Sequence, residues 1–312
     1  MFNTPKEIRV CEVCTRDGFK SLPYMIGVPE KVKLLNLITD AGIKEIEVGS
    51  FLPDDRAATN QMANTPDVFD HLERKEGVVY RALLQTPAGA QQAVDHGCNK
   101  FNLYFSGSQK HYELMTGKSI EEGIKGFAQI GKIAAENNVA LLGSISLAFE
   151  SPYDGRVPLD RLRMIISNFL DIGVTQISMN DTAGMATPGL VNEYFKTMMA
   201  EFPNVERWCF HPHNTRGMGL ANTLSAIDAG VLNVDSSLAG TGGCTVFKNA
   251  SGNISTEDLV YMLKGLGVTT GIDFDKLLVA GEYTRELVPA DKWDSYLLRL
   301  EQYKRQGDGT IE

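Results

Sequence analysis

Residues 40–51, DAGIKEIEVGSF, decide the fold, because an acidic residue and a glycine lead there into a short apolar run. A glycine at such a point can end a helix in the left-handed conformation and turn the chain into a strand. The same Asp-x-Gly signal precedes an apolar run at residues 95–97, 171–173 and 228–230. A helix-to-strand turn that recurs in this way predicts repeated β and α units.

Eight short apolar runs are predicted to be strands, and amphipathic stretches typical of helices lie between them. Their spacing suits βα units of roughly 30 residues or more. Alternation of this kind predicts a parallel sheet, and eight repeats predict a closed barrel. The predicted strands are residues 8–14, 45–51, 78–84, 100–105, 140–147, 176–179, 205–210 and 231–236.

No low-complexity linker or change of composition divides the 312 residues. We therefore expect a single α/β domain, a (βα)8 TIM barrel over about residues 7–270. A C-terminal helical extension is expected over about residues 271–312, where Trp293 and Tyr296 lie among charges and predict a docked helix.

The composition excludes several classes of protein. A net charge of -9 argues against a nucleic-acid surface, which needs a basic face. No apolar run reaches the ~18 residues of a membrane helix, and the first residues lack the apolar core of a secretory signal. Five cysteines, an odd number in a long chain, favour a reducing compartment, so we expect a cytoplasmic protein. Cys11 and Cys14 resemble a CxxC pair but lie within one predicted strand, where we expect two core residues.

The sharpest local feature is His211-Pro212-His213-Asn214, at the end of the seventh predicted strand. Side chains two apart on a strand point the same way, so both imidazoles could bind one metal ion. The pattern is short, and a pair of hydrogen-bonded structural histidines remains an equal alternative on this evidence alone.

Further polar residues follow other predicted strands, where a barrel enzyme builds its active site. Arg16 and Asp17 close the first strand, which neighbours the eighth and lies close to the seventh, so Asp17 could join the histidines as a metal ligand. An ion pair that shapes a turn is the alternative. Oxygen and nitrogen ligands without thiolate suit Mg²⁺ or Mn²⁺, with Zn²⁺ also compatible.

A glycine-rich segment, GTGGC at residues 240–244, is followed by ASGN at residues 250–253. Glycines allow close approach to a ligand, and Cys244 at the tip of such a loop is placed for chemistry, although a plain turn would look the same. Asn253 could direct its amide oxygen to a metal or cap the helix that begins near Ser255.

These stretches together resemble the 3-hydroxy-3-methylglutaryl-CoA (HMG-CoA) lyases and their relatives among the DRE-TIM metallolyases. The matching motifs run in the family's order over nearly the whole chain. They are EVCTRDG at residues 12–18, IEVGSF at 46–51, NDTAG at 180–184, HPHNTRG at 211–217, GGC at 242–244 and ASGNISTEDL at 250–259.

The resemblance implies a TIM barrel whose divalent cation is bound by Asp17, His211, His213 and Asn253. It implies that Arg16 stabilises an enolate oxygen and that Cys244 acts as acid or base. Glu47 and Asp181 match polar positions that line the family's site. A small-molecule substrate, an acyl-CoA, and a homodimeric assembly are implied as well.

The resemblance is incomplete around the substrate. The family usually reads PRDGLQNE where this chain reads TRDGFKSL at residues 15–22, and GGCPYAPGASGN where this chain reads GGCTVFKNASGN at residues 242–253. A glycine-cysteine pair before PYEG is replaced by Glu150-Ser151 before PYDG. The metal ligands are retained while the substrate-shaping residues differ.

The leading interpretation is a metal-dependent carbon–carbon lyase that cleaves HMG-CoA or a related 3-hydroxyacyl-CoA to an acyl-CoA and a keto acid. A Claisen-condensing synthase or a keto-acid aldolase of the same superfamily is the alternative. A non-catalytic barrel that binds metal or acyl-CoA is the second alternative, disfavoured because Arg16, Asp17 and both histidines are intact.

Overall fold

The computed structural model of this protein describes residues 2–51, 61–243 and 250–305. The strands are β1 (Arg9–Glu12), β2 (Glu45–Phe51), β3 (Val79–Leu84), β4 (Lys100–Ser106), β5 (Ala140–Ser146), β6 (Glu150–Ser151), β7 (Gly155–Arg156), β8 (Gln176–Asp181), β9 (Arg207–Pro212) and β10 (Asn233–Ser236). Eight of them are parallel and close into a barrel, in which they pair in the order β1-β10-β9-β8-β5-β4-β3-β2. The short strands β6 and β7 form an antiparallel hairpin after β5.

The predicted (βα)8 barrel is confirmed, and each of its eight strands overlaps a predicted apolar run. The second strand has the predicted bounds, Glu45–Phe51. The first is shorter than predicted: β1 ends at Glu12, and a π-helical turn, Cys14–Gly18, replaces its expected last residues. Cys11 and Cys14 are both buried and unpaired, as expected of core residues.

Helices surround the barrel and bury their apolar faces against it. Two further helices, Phe274–Leu287 and Tyr296–Arg305, form the C-terminal extension. The helices before them are Val28–Asp40, Thr65–His71, Pro87–Asp95, Gln109–Thr116, Ile120–Ile124, Ala128–Glu136, Leu159–Asp171, Pro188–Glu201, Gly219–Ala229 and Thr256–Gly265. Short 3-10 turns lie at Gln61–Asn64, Lys125–Phe127 and Leu238–Gly240.

The Asp-x-Gly signals mark helix-to-strand turns, as predicted. Gly42 has φ 97°, and a Cβ there would lie 2.6 Å from the backbone oxygen of Gly271, so both the conformation and the space require glycine. Gly230 ends the helix Gly219–Ala229 in the left-handed conformation. These turns direct each following strand back into the barrel.

The apolar core lies between the barrel and its helices. Phe149, Phe195 and Phe210 pack together with ring centroids 5.6 to 5.9 Å apart. Inside the barrel, by contrast, many buried side chains are polar or charged. Among the described residues, no helix has both the length and the apolar composition needed to cross a membrane.

Candidate metal centre and active-site cavity

The π-helical turn Cys14–Gly18 places Asp17 at the carboxyl end of the first strand. The backbone N–H groups of Asp17 and Gly18 both donate to the carbonyl oxygen of Val13, and the Thr15 hydroxyl donates to the backbone oxygen of Glu47 on β2. Wide turns of this kind are often found at functional sites. The turn is thereby tied to two strands and holds the Asp17 carboxylate over the barrel mouth.

His211 and His213 leave the end of β9 beside this carboxylate. Their Nε2 atoms are 3.1 Å apart. Oδ2 of Asp17 lies 3.8 Å from His211 Nε2 and 3.6 Å from His213 Nε2. All three side chains are buried, and one potential ligand atom from each lies within 4.8 Å of the others. The structure thus brings together three of the four residues expected to bind a metal, from positions far apart in the chain.

Asn253 completes the group, because its Nδ2 donates to Asp17 Oδ2 at 2.9 Å and to the backbone oxygen of Thr241 at 3.1 Å. The alternative role of helix cap is wrong: Ser255 is the N-cap of the helix Thr256–Gly265 and accepts from the Asp258 N–H. The buried Oδ1 of Asn253 has no hydrogen-bond partner among the described residues. We call Asp17, His211, His213 and Asn253 the mouth cluster.

The mouth cluster fits a divalent cation. Its donors are a carboxylate, two imidazoles and an amide, without thiolate, a set that suits Mg²⁺ or Mn²⁺ and accommodates Zn²⁺. A buried amide oxygen without a partner is costly, and a cation would satisfy it. Asp235 orients His211 from behind the cluster. His211 Nδ1 lies 3.1 Å from Asp235 Oδ2, a contact typical of metal-binding histidines.

Two cations lie against the other oxygen of Asp17. Arg16 Nη1 is 2.5 Å and Lys20 Nζ 2.6 Å from Asp17 Oδ1. Burial opposes ionisation of this carboxyl, but Lys20 and Arg16 outweigh it and hold the pKa of Asp17 well below its usual value. The carboxylate is therefore ionised at neutral pH and ready to act as a ligand.

Arg16 is itself held by Glu47, whose Oε2 accepts from the Arg16 Nε. Asn102 donates to the other oxygen of Glu47 at 2.5 Å. Glu47 is fully buried and does not line the cavity described below, so it acts on the cavity through Arg16. The pair fixes the direction of the guanidinium, whose charge is permanent.

Below the mouth cluster lies a buried set of charges, Glu45, Arg81, Lys100 and Asp235, which we call the interior network. Arg81 Nη2 is 2.7 Å from Asp235 Oδ2 and Nη1 is 3.4 Å from Glu45 Oε1. Lys100 Nζ is 2.6 Å from the same Glu45 oxygen. Although burial favours the neutral acid, Arg81 lowers the pKa of Asp235, so that Asp235 remains an anion behind His211.

A cavity of about 320 Å³ opens above the mouth cluster. Arg16, Asp17 and Lys20 line it, and so do His211 and His213. Its lining combines these polar groups with apolar side chains, which is the usual composition of a small-molecule site. The lining residues are Arg16, Asp17, Lys20, Met62, Leu83, Gln85, Asn102, Tyr104, Met115, Ser144, Asn180, Thr182, His211 and His213.

Of the expected site residues that the structure describes, Glu47, Asn253 and Asp181 do not line this cavity. Asp181, at the end of β8, does not line it; its carboxylate accepts from the N–H groups of Met185 and Ala186 and orders the loop that follows. Burial raises its pKa. Cys244 lies outside the described residues.

Sequence reasoning missed Lys20 and the interior network as parts of the site. A signal was present, because Glu45, Arg81, Lys100 and Asp235 each lie in or at the edge of a predicted apolar strand. A charge in a buried strand needs a partner of opposite sign, and in a barrel that partner comes from another strand. The pairing itself cannot be read from one sequence.

A closed parallel barrel with potential metal ligands at the carboxyl ends of its strands defines the class: a TIM-barrel enzyme with a candidate metal centre at its mouth. The HMGL-like family model matches residues 7–283. A mitochondrial hydroxymethylglutaryl-CoA lyase of Macaca fascicularis is 35% identical over 283 residues, which cover 91% of this chain and 86% of that relative.

Solved structures agree. Hydroxymethylglutaryl-CoA lyase from Pseudomonas aeruginosa superimposes with a TM-score of 0.91 at 31% identity, covering 97% of this chain and 99% of that one. An HMG-CoA lyase from Acinetobacter baumannii, solved with coenzyme A and 3-methylmalate, gives 0.87 at 30% identity, with coverages of 94% and 95%. The chain belongs to the HMGL-like family and is a lyase.

Proposed function

We propose that this protein is a divalent-metal-dependent carbon–carbon lyase that cleaves HMG-CoA, or a closely related 3-hydroxyacyl-CoA, to an acyl-CoA and a keto acid. The observation that carries the proposal is the mouth cluster, in which Asp17, His211 and His213 converge within 4.8 Å at the floor of the cavity. Membership of the HMGL-like family and relatives named for this activity support it. The condensing and aldolase alternatives are not favoured by these relatives.

Asp17, His211, His213 and Asn253 would hold Mg²⁺ or Mn²⁺. When bound, the cation acts as a Lewis acid that acidifies the substrate's tertiary hydroxyl and orients its carboxylate. The protein's part is to keep these donors in position. Asp235 supports His211 from behind, while the salt bridges of Arg16 and Lys20 keep Asp17 ionised.

We assign to Arg16 the stabilisation of the negative charge that develops on the substrate. Cleavage of the carbon–carbon bond leaves an enolate whose negative charge lies on the thioester oxygen. A guanidinium that is already oriented by Glu47 stabilises that oxygen without reorganising, an effect worth ~3 kcal/mol for oxyanion donors in general. Glu47 is therefore a positioning residue.

Proton transfer is assigned to Cys244, as the resemblance to the family implies. Asp181 contributes by ordering the loop after β8, since its oxygens accept from two backbone N–H groups there. The cytoplasm remains our prediction for the compartment, in keeping with four buried free thiols among the described residues, and a homodimer remains our prediction for the assembly.

The test is direct. Purified protein is incubated with Mg²⁺ and HMG-CoA, and acetoacetate and acetyl-CoA are measured as they form. We expect both products in equal amounts, loss of activity with a chelator, and recovery with Mg²⁺ or Mn²⁺. Metal-replete protein that leaves HMG-CoA and related 3-hydroxyacyl-CoA thioesters uncleaved would show that the proposed function is wrong.

A further inference from the structure

Lys20 adds a second positive charge, beside that of Arg16, to the cavity next to Asp17. Its side chain lines the cavity and is 27% exposed, and its Nζ lies 2.6 Å from Asp17 Oδ1. The same oxygen already accepts from Arg16 Nη1 at 2.5 Å. One carboxylate oxygen thus faces two cations.

The charges near Lys20 balance in the protein alone, as the pairs Arg16–Glu47 and Lys20–Asp17, but a divalent cation bound by Asp17 would leave Lys20 without a counter-charge. Arg16 is neutralised by the buried Glu47. Lys20, by contrast, has no acidic partner in the described part of the chain except Asp17, whose single charge also serves the metal site. An ammonium group has three donors, and only one of those of Lys20 has a hydrogen-bond partner among the described residues.

Lys20 places a cation at the wall of the cavity, beside Arg16 and Asp17. A partly buried charge is poorly screened, so it favours a ligand that brings one more negative charge to this side.

We propose that Lys20 is a specificity-determining residue that binds a second carboxylate of the substrate. The preferred substrate is then a 3-hydroxyacyl thioester with an additional carboxylate on, or next to, the carbon that bears the hydroxyl. This inference rests on the proposed lyase function and narrows its substrate class. Lysine suits the task because its compact ammonium can bind Asp17 and a ligand oxygen at once.

Two small acids that differ by one carboxylate test the proposal. Glutarate and propane-1,2,3-tricarboxylate have the same five-carbon backbone, and the second carries a further carboxylate on the central carbon. Their affinities for the full-length protein with saturating Mg²⁺ are measured by isothermal titration calorimetry at constant ionic strength. We expect the wild type to prefer the tricarboxylate by about tenfold or more, as one charge-assisted hydrogen bond allows.

Substitutions at Lys20 should change this preference. Lys20→Gln is expected to reduce it to about twofold or less, and Lys20→Arg to retain most of it. Lys132→Gln is the matched control, because it removes one positive charge from an exposed outer helix and should leave the preference unchanged. Mg²⁺ affinity of Lys20→Gln, measured separately, should equal or exceed that of the wild type, since Lys20 no longer competes for Asp17.

Equal affinities of the wild type for the two acids would overturn the proposal without any variant. A tricarboxylate preference that persists in a folded Lys20→Gln protein, as judged by circular dichroism, would also overturn it. The binding measurement needs no turnover. Failure to cleave HMG-CoA and its relatives would therefore contradict the lyase function, whereas an absent or Lys20-independent preference would contradict only the role of Lys20.

Discussion

The mouth cluster and the interior network are neighbouring buried polar groups inside one barrel, but their electrostatics differ. In the interior network two cations, Arg81 and Lys100, face two anions, Glu45 and Asp235, at 2.6 to 3.4 Å. In the mouth cluster one carboxylate, Asp17, faces two imidazoles, and the buried amide oxygen of Asn253 has no partner among the described residues.

This difference in charge balance distinguishes the interior network, which supports the barrel, from the mouth cluster, which is suited to bind a ligand. A network whose charges are matched needs no ligand to balance them, and removing one member leaves an uncompensated buried charge. A cluster with convergent donors and an unsatisfied buried oxygen is incomplete until a ligand binds. Asp235 links the two, because it accepts from Arg81 and supports His211.

Asp17→Asn should have the largest effect, because it removes the only anion of the mouth cluster. We expect Mg²⁺ affinity to fall by more than the roughly 100-fold typical of residues behind a metal ligand, and lyase turnover by at least about 10³-fold. Calorimetry with Mg²⁺ and the product assay measure the two. Asp160→Asn, on an exposed side chain, is the control. Unchanged metal binding would remove Asp17 from the metal site.

Arg81→Met should act on stability instead. Loss of the cation leaves Asp235 and Glu45 buried with less compensation, and we expect the free energy of unfolding to fall by ~3–5 kcal/mol in urea titrations. Arg163→Met removes a surface cation from Asp160 and Glu201 and should cost less than ~1 kcal/mol. If the two variants lost equal stability, the interior network would have no special role.

Asp235→Asn tests the link between the two clusters. The His211 ring loses its anionic partner, so Mg²⁺ affinity should fall by roughly 10- to 100-fold, less than for Asp17→Asn. The measurement is the same calorimetric titration, made on protein shown to be folded. An affinity equal to that of the wild type would mean that His211 does not depend on the interior network.

Glu257→Gln should give the smallest effect, which is a change in how the free energy of unfolding depends on pH. Burial raises the pKa of Glu257 from 4.5 to about 7, while its carboxyl accepts from the N–H of Ala239, a residue with φ 57°. Between pH 4.5 and about pH 7, the Glu257 carboxyl keeps its proton in the folded protein but has lost it in the unfolded chain. Stability should therefore fall as pH rises from about 5 to about 7, by up to ~1.4 kcal/mol per pH unit.

Urea titrations of wild type and Glu257→Gln across that pH range measure the contribution. The variant should show a shallower decline, and Glu136→Gln, an exposed change, should not. Some decline should remain in the variant, because burial raises the pKa of Glu12 to about 8. Identical slopes for the wild type and Glu257→Gln would show that Glu257 is not protonated in the folded state.

Much of the fold could be predicted because its signals are local. Apolar runs of strand length, and glycines such as Gly42 and Gly230 that require positive φ, are visible over a few residues. These local signals locate all eight barrel strands in the sequence. The π-helical turn after β1 was not predicted, since Val13 and Cys14 continue the apolar run of the strand and the turn contacts β2 through Thr15, a contact between residues 32 positions apart.

The candidate site was only partly predictable. Arg16, Asp17, His211 and His213 were found because they follow predicted strands, and the structure brings them together. Asp181 has the same sequence signal, yet its carboxylate is engaged by the backbone of the next loop. The direction of a side chain depends on such contacts, which a single sequence does not record.

The sequence by itself determined the class of this protein: eight strand-length runs, their turns, and the order of polar residues at strand ends are properties of neighbouring residues. Only the tertiary structure decided which charges meet. Asp17 lies beside Asn253, 236 positions away, and Arg81 beside Asp235, 154 positions away. Closure of the barrel makes these partners adjacent, and buried charges at short distance interact strongly because little water separates them.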